Sequence, residues 1–372
     1  MTWDDEPEAI CHRMASPTEL FPYHKSADAF LTGFKRLIDY ASRIGVYGII
    51  VWGFLRDCHG GAKAAVELCQ YAADRGVAII AGAGLCCYGG FYYEGTHYFN
   101  LSTYLQKYPE RASTAVNQQT GKYVSPVLDP ASEANQRWWQ EGLEWLLENF
   151  QLGGVNLETG DYLVNLSASA RQARDALNLN VDDHIKDVVI ATHELVSRAI
   201  NAWPDRLFIV NTYRGYHELA DSREIYVRLP ERTVWQYSLT TTVEQSDFVV
   251  GNYDAARHRC YGQLHWFNVS TGTADRDYVP RIAEVFPHIR RLGFEFVGTY
   301  GEVSAADSCV ADRNYRAQVA WAASPALTVR EFESGPGEGR QHAWEKSSRV
   351  NSACLLPERE AGLRGCMPGC GR

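Results

Sequence analysis

Apolar runs of strand length alternate with amphipathic stretches of helical spacing along most of the chain. Tyr47–Trp52 and Val77–Gly82 read as the first two strands. Val124–Leu128 reads as the third, and Pro126 makes it the weakest. Gly154–Glu158, Arg206–Asn211, Thr233–Tyr237, Gln263–Asn268 and Phe294–Tyr300 follow as strands four to eight. Helical spacing covers Ala27–Ala41 with Ser26 as its N-cap, Ala62–Asp74 stopped by Arg75-Gly76, and Ser132–Phe150 with Ser132 as its cap. It recurs over Asp182–Asn201, Asp277–Leu292 closed by Gly293, and Asp312–Ala323. Strands alternating with helices imply parallel strands joined by crossover helices. Eight of them in about 300 residues predict an α/β protein of the (β/α)8 (TIM) barrel class. The competing open doubly wound sheet calls for a Gly-rich phosphate loop after its first strand, and Gly82-Ala83-Gly84 does not complete one.

Two segments depart from this cadence. Leu85–Lys122, after strand two, is too long for a simple crossover and carries Tyr88-Gly89-Gly90-Phe91-Tyr92-Tyr93-Glu94-Gly95. A long loop at the strand C-termini of a barrel commonly builds the site. From Ser334 onward periodicity stops amid Gly, Pro and Cys. The expected organisation is an N-terminal extension over residues 1–20, a barrel over 21–333, and an irregular tail over 334–372.

Composition narrows the function. The 372 residues carry a net charge of -9, which argues against a nucleic-acid partner wanting a basic face. No uninterrupted apolar stretch is long enough to span a bilayer, and the acidic Met1–Glu6 lacks the apolar core of a signal peptide, so a cytoplasmic location is expected. The ten Cys read mainly as buried thiols in a reducing compartment. Cys366 and Cys370 lack a His partner at ligand spacing, and no HxH or HExxH pattern occurs, so neither a metal nor another cofactor is expected. The 21 Tyr and 10 Trp gather near strand ends, which suits the apolar faces of a saccharide, although core packing explains many of them.

In a barrel, inward positions at strand C-termini form the site. Alternation puts Asn156 and Glu158 on one face of strand four, with Val155 and Leu157 on the other. A carboxylate buried there needs a purpose, either catalysis or a structural cation partner. Glycosidic cleavage uses two carboxyl groups across the bond, one donating a proton and one acting as base or nucleophile. Glu158 is the first candidate, as the acid. Asp161, just past the strand, and Glu302, just past strand eight, are the candidates for its partner, and Asp161 reads equally as a loop residue. After strand one, Trp52 suits a sugar platform, and Arg56 with Asp57 suits a clamp for hydroxyls or a carboxylate; an internal salt bridge is the alternative. Tyr92, Tyr93, Asn211, Tyr213, Tyr237, His265, Asn268 and Tyr300 complete the candidate substrate contacts, His265 also as an acid-base group.

Four stretches carry a resemblance: Ile50-Val51-Trp52-Gly53-Phe54-Leu55-Arg56-Asp57, Tyr88 to Gly95, Gly153-Gly154-Val155-Asn156-Leu157-Glu158-Thr159-Gly160-Asp161, and Asn314-Tyr315 through Trp321 to Leu327-Thr328. On these, residues 16–333 resemble the (β/α)8 glycoside hydrolase superfamily, near the α-glucuronidase and hexosaminidase groups. The resemblance implies an O-glycosidase acting on a saccharide, with Glu158 where such barrels hold an acid/base carboxylate. Tyr162-Leu163-Val164-Asn165-Leu166-Ser167 stands where related chains carry closely spaced Cys, and the stretch after Phe332 lacks the helix they continue into. A non-catalytic carbohydrate-binding barrel, or a lyase or isomerase on this fold, remains the alternative.

Overall fold

The computed structural model describes residues 2–4, 27–215, 223–239, 258–267, 276–301 and 309–335. Nearly all belong to one compact unit, Met1–Glu333. The described strands, in chain order, are β1 (Thr2–Asp4), β2 (Gly48–Val51), β3 (Ala78–Gly84), β4 (Ala112–Asn117), β5 (Tyr123–Leu128), β6 (Gly154–Glu158), β7 (Leu163–Asn165), β8 (Leu207–Gly215), β9 (Val234–Ser238), β10 (Cys260–Phe267) and β11 (Phe296–Gly301). The longer helices are α1 (Ala27–Ile44), α2 (Gly61–Ala73), α3 (Leu101–Lys107), α4 (Glu133–Asn149), α5 (Ala168–Leu177) and α6 (Asp183–Ala202), then Val279–Arg291 and Cys309–Ala323.

Seven parallel strands form one curled sheet in the order β2-β3-β6-β8-β9-β10-β11. The three-residue β1 pairs in parallel with β11 on one side and β2 on the other, so the order closes on itself. These residues lie in the stretch read as an N-terminal extension. Val124–Leu128, expected as a strand of the barrel, stands elsewhere. It belongs to β5, at the edge of a separate antiparallel sheet ordered β5-β4-β7. Pro126 has no N–H to give to a ladder, so an edge strand suits it and a central parallel strand does not.

Parallel strands covered on both faces become continuous apolar runs, and β2, β3 and β6 are buried along their whole length. Alternation still sorts their side chains. Ile50, Ile80, Leu207, Ile209, Val234 and Tyr261 pack together inside the curl. Ile49, Ile79, Val155, Leu157, Phe208 and Val210 point the other way, into the larger core shared with the helices. Each such aliphatic side chain contributes about 2 kcal/mol of transfer free energy. Trp52 leans into the inner core from the end of β2. Gly82 allows this, since a Cβ there would enter the Trp52 ring.

The helix boundaries follow local chemistry. Asn100 caps α3, accepting from Thr103 N at 3.0 Å, and Ser167 caps α5, accepting from Ala170 N at 3.0 Å. Ser132 precedes α4 as expected but makes no side-chain cap bond. Ser26 lies outside the described residues. No described helix is long and apolar enough to cross a membrane.

Candidate active site at the strand ends

Glu158 is the last residue of β6 and is 7 % exposed. Its register partner on β3 is Gly84. On the other side Leu157 pairs with Val210, which brings Asn211 of β8 beside the carboxylate. Asn211 Nδ2 donates to Glu158 Oε1. The Glu158 carboxylate also acts electrostatically on the Tyr213 phenol. One layer deeper, Asn156 Nδ2 donates to Gln236 Oε1 at 2.6 Å, and Gln236 Nε2 donates to Gln263 Oε1 at 2.8 Å. This amide relay crosses the interior above the aliphatic floor. It gives buried polar groups partners that they would otherwise lose at a cost of about 1–3 kcal/mol each.

Around Glu158 the backbone is unusual. Four described residues other than glycine have positive φ. One is Asn178, an ordinary left-handed cap of α5. The others are Tyr88 (φ 59°), Tyr162 (φ 53°) and Tyr213 (φ 55°). Bulky residues rarely enter this region, which costs about 1–3 kcal/mol per residue, and such strain concentrates at functional sites. Tyr88 and Tyr213 lie within electrostatic reach of Glu158, and Tyr162 packs on Tyr213. Tyr162 Oη donates to Tyr213 O, and their rings lie 5.9 Å apart. Tyr88 Oη accepts from Asp161 N at 3.3 Å. Burial first, then nearby acidic groups, push the Tyr88 and Tyr213 phenols above their ordinary range. Burial likewise pushes up the Cys87 thiol, whose Sγ donates to Thr159 O at 3.6 Å. These groups are neutral near pH 7.

Asp161 is exposed, and its side chain acts electrostatically on Tyr88, Cys87 and Tyr213, as Glu158 does. Its loop is held by Asn117 Nδ2 donating to Asp161 O at 2.7 Å and Gln118 N donating to Tyr162 O at 2.8 Å. Gly160 (φ 124°) turns the chain where a Cβ would strike Leu163 and Cys87.

Trp52, Tyr93 and Arg56 form a second group. Tyr93 stands edge-on to Trp52 at 6.4 Å, and the Arg56 guanidinium lies 4.8 Å from the Tyr93 ring centre. Arg56 is 3 % exposed and pairs with Glu94, Nη1 to Oε2 at 3.2 Å. Asp57 is not its partner. Instead, Asp57 Oδ1 accepts from Tyr92 Oη at 2.6 Å. Tyr92 itself is packed in the outer core and stacked on His97. Asp57 and Tyr92 therefore brace the loop. Tyr237 also faces the helices, bonded to Tyr226 Oη at 2.8 Å and His258 Nε2 at 2.9 Å. Its parity explains this, because the inward residue of β9 is Gln236. Glu302 and Asn268 lie outside the described residues, as do the side chains of His265 and Tyr300. Tyr88 and Tyr162, near this corner, were not among the residues that the sequence offered; each adjoins Gly or Asp at a strand-end turn. Among the described residues no three His, Cys, Asp or Glu side chains gather to hold a metal ion.

Behind Tyr162, 5.4 Å from its ring, His184 of α6 is fully buried, and burial lowers its pKa to about 4. A folded-state pKa below the ordinary 6.5 means that the folded protein binds fewer protons than the unfolded one. That contribution is intact above pH 6.5 and is lost as pH falls towards 4, by about 3 kcal/mol. Asp187, raised by burial to about 6, acts with the opposite sign in the same window. The histidine part is therefore read as a difference. Urea midpoints of His184→Phe should fall less between pH 6.5 and 4 than those of the parent. Parallel curves would remove His184 from the account.

No family model matches the chain, and no curated protein does either. Solved structures match in fold. The tandem GH20 catalytic modules of a pneumococcal exo-beta-D-N-acetylglucosaminidase align at a TM-score of 0.52 and 10 % identity, over 95 % of this chain and 97 % of that one. A beta-N-acetylhexosaminidase from Bacteroides fragilis aligns at 0.50 and 13 % identity, over 93 % and 70 %. A GH20 exo beta-N-acetylglucosaminidase from Vibrio harveyi aligns at 0.50 and 11 % identity, over 95 % and 58 %. The chain spans 56 % of the length of Eubacterium rectale Amy13B. At 10–13 % identity the likeness to these three structures is one of fold.

Proposed function

We propose that the chain is a (β/α)8-barrel glycoside hydrolase that cleaves a saccharide at its strand C-termini, with Glu158 as a catalytic carboxylate and Asp161 or Glu302 as the second. The observation that carries this reading is the nearly buried Glu158 at the end of β6, hydrogen-bonded by Asn211 and close to Tyr88 and Tyr213, two tyrosines in left-handed conformation. Stored backbone strain around a strand-end carboxylate is a mark of a working site. Trp52 and Tyr93 supply aromatic surface for a sugar face. Asn156 shapes the floor rather than the contact surface, since it is fully buried in the amide relay.

The substrate we propose is a neutral saccharide. Arg56, the residue that suggested an acidic sugar, is committed to Glu94 and Tyr93. The described groups around Glu158 include the Asp161 carboxylate and the Tyr88 and Tyr213 phenols, which suit hydroxyl and amide partners. Release of 4-nitrophenol from aryl hexosides and N-acetylhexosaminides tests this. Turnover should be at least about tenfold faster than on aryl glucuronides, since a carboxylate next to Glu158 and Asp161 meets repulsion of a kcal/mol or more. Faster uronide cleavage overturns the neutral-substrate reading. Saccharide binding by calorimetry with no cleavage of any aryl glycoside would mark a non-catalytic barrel.

A further inference from the structure

We propose that a single ordered water is bound between the end of β6 and helix α6, where it bridges the Thr159 hydroxyl to the Asp187 carboxylate. The site lies behind Glu158 and does not depend on the reaction proposed above.

A small cavity with room for about one water lies beside Thr159. Cys86, Thr159, Asn165 and Asp187 contribute its polar lining, and Leu128 and Leu163 are among the apolar residues that complete it. Thr159 is 3 % exposed, and its Oγ1 is buried with no hydrogen-bond partner among the described residues. A buried hydroxyl left unpaired is costly, so it calls for a partner that the protein itself does not supply.

The neighbouring polar groups have capacity to spare. Asp187 Oδ1 accepts from Arg174 Nη1 at 2.7 Å, and Oδ2 accepts from Asn165 N at 2.7 Å. A carboxylate offers about four acceptor positions, so some remain open. Asn165 Oδ1 accepts from Ser113 Oγ at 2.9 Å and from Ser167 N at 3.0 Å. Its Nδ2 donates to Leu128 O at 3.1 Å, which leaves one amide hydrogen uncommitted among the described residues.

These valences select the occupant. Thr159 offers a donor and an acceptor, Asp187 an acceptor, and Asn165 a donor. A water matches all three, within the roughly two to four partners that buried waters hold. Arg174 already balances the Asp187 charge, which suits a neutral molecule better than a cation. Cys86 adds little. Burial first, then Asp187 and Asp129, hold its thiol well above its ordinary range, so it stays neutral.

The bridge also has a place in the fold. Thr159 directly follows Glu158, and its carbonyl already accepts from Cys87 Sγ at 3.6 Å. The water gives the same residue a second tie, to the ion pair that joins α5 and α6. Thr159 is thereby held through its main chain on one side and through its hydroxyl on the other.

A high-resolution crystal structure of the full chain tests the site. A water peak is expected within hydrogen-bond distance of both Thr159 Oγ1 and the Asp187 carboxylate. Crystals held under xenon should show no xenon there, because an empty apolar cavity takes up xenon and a polar, filled one does not. No water peak in the parent, or xenon in its place, overturns the proposal. Thr159→Val keeps the shape and should lose the water, whereas Thr159→Ser should keep it. A water that stays put in Thr159→Val overturns the bridge. Carbon-13 NMR of the aspartate carboxyl carbons reads the same contact in solution, with the Asp187 signal identified by its loss in Asp187→Asn. Its midpoint should lie about half a unit or more higher in Thr159→Val than in the parent, since the charged form loses a donor. An unchanged midpoint in the folded variant counts against the bridge. Every one of these results is read without substrate, so failure of the glycosidase reading leaves them untouched.

Discussion

Glu158→Gln should lower kcat/KM on a cleaved aryl glycoside by about 10³-fold or more while leaving the urea midpoint close to the parent's. A positioned acid or base contributes about 10²–10⁴ in rate, and a lost nucleophile at least as much. The substitution is nearly isosteric. The new side-chain amide can still accept from Asn211 through its own oxygen, so the hydrogen bond that ties β6 to β8 survives. What disappears is the charge, and removing a buried charge spares its desolvation cost. A loss confined to kcat, with KM little changed, marks an interaction made in the transition state. Full activity in a folded Glu158→Gln protein ends the assignment.

The second large effect is structural and lies beneath the same loop. Arg174 of α5 and Asp187 of α6 form a buried ion pair, Nη1 to Oδ1 at 2.7 Å, with both side chains almost fully covered. The other carboxylate oxygen accepts from Asn165 N of β7 at 2.7 Å. One carboxylate therefore joins two helices and the strand that follows Asp161. Arg174→Leu leaves it facing apolar neighbours. Breaking a buried pair by removing one partner costs about 3–5 kcal/mol, and the lower end is expected because Asp187 can take up a proton instead. Burial already raises its pKa to about 6 despite Arg174. The cost should therefore be large at pH 8 and shrink towards pH 5, where the carboxyl is neutral with or without the arginine. Urea unfolding at the two pH values measures it. An equal cost at both would mean that packing, and not charge, is what Arg174 supplies.

The strand cadence made most of the curled sheet legible, because covered parallel strands leave long Val- and Ile-rich runs. It misled at Val124–Leu128, where the run is half exposed and holds a proline, and at Thr2–Asp4, too short to show a period. Parity put Asn156 and Glu158 on one face of their strand, and in the structure Asn156 bonds Gln236 while Glu158 bonds Asn211. It also separates Gln236 from Tyr237, and Tyr237, offered as a substrate contact, faces the helices. The bond between Asp57 and Tyr92 was hidden for another reason. Their pairing depends on how the long loop folds back over the β2 end, and spacing carries no record of that. The left-handed tyrosines were invisible because nothing in a tyrosine codon announces its backbone angle.

The antiparallel ribbon has a consequence for how such a site can change over time. β4 is hydrogen-bonded to β7, and Asn117 and Gln118 grip the turn that holds Asp161 and Tyr162. An excursion from one βα connection thus acts as the splint for the reactive turn of the next. The two segments form one heritable module. A chain with the ribbon trimmed would keep Glu158 on its strand yet lose the bonds that hold the Asp161 turn.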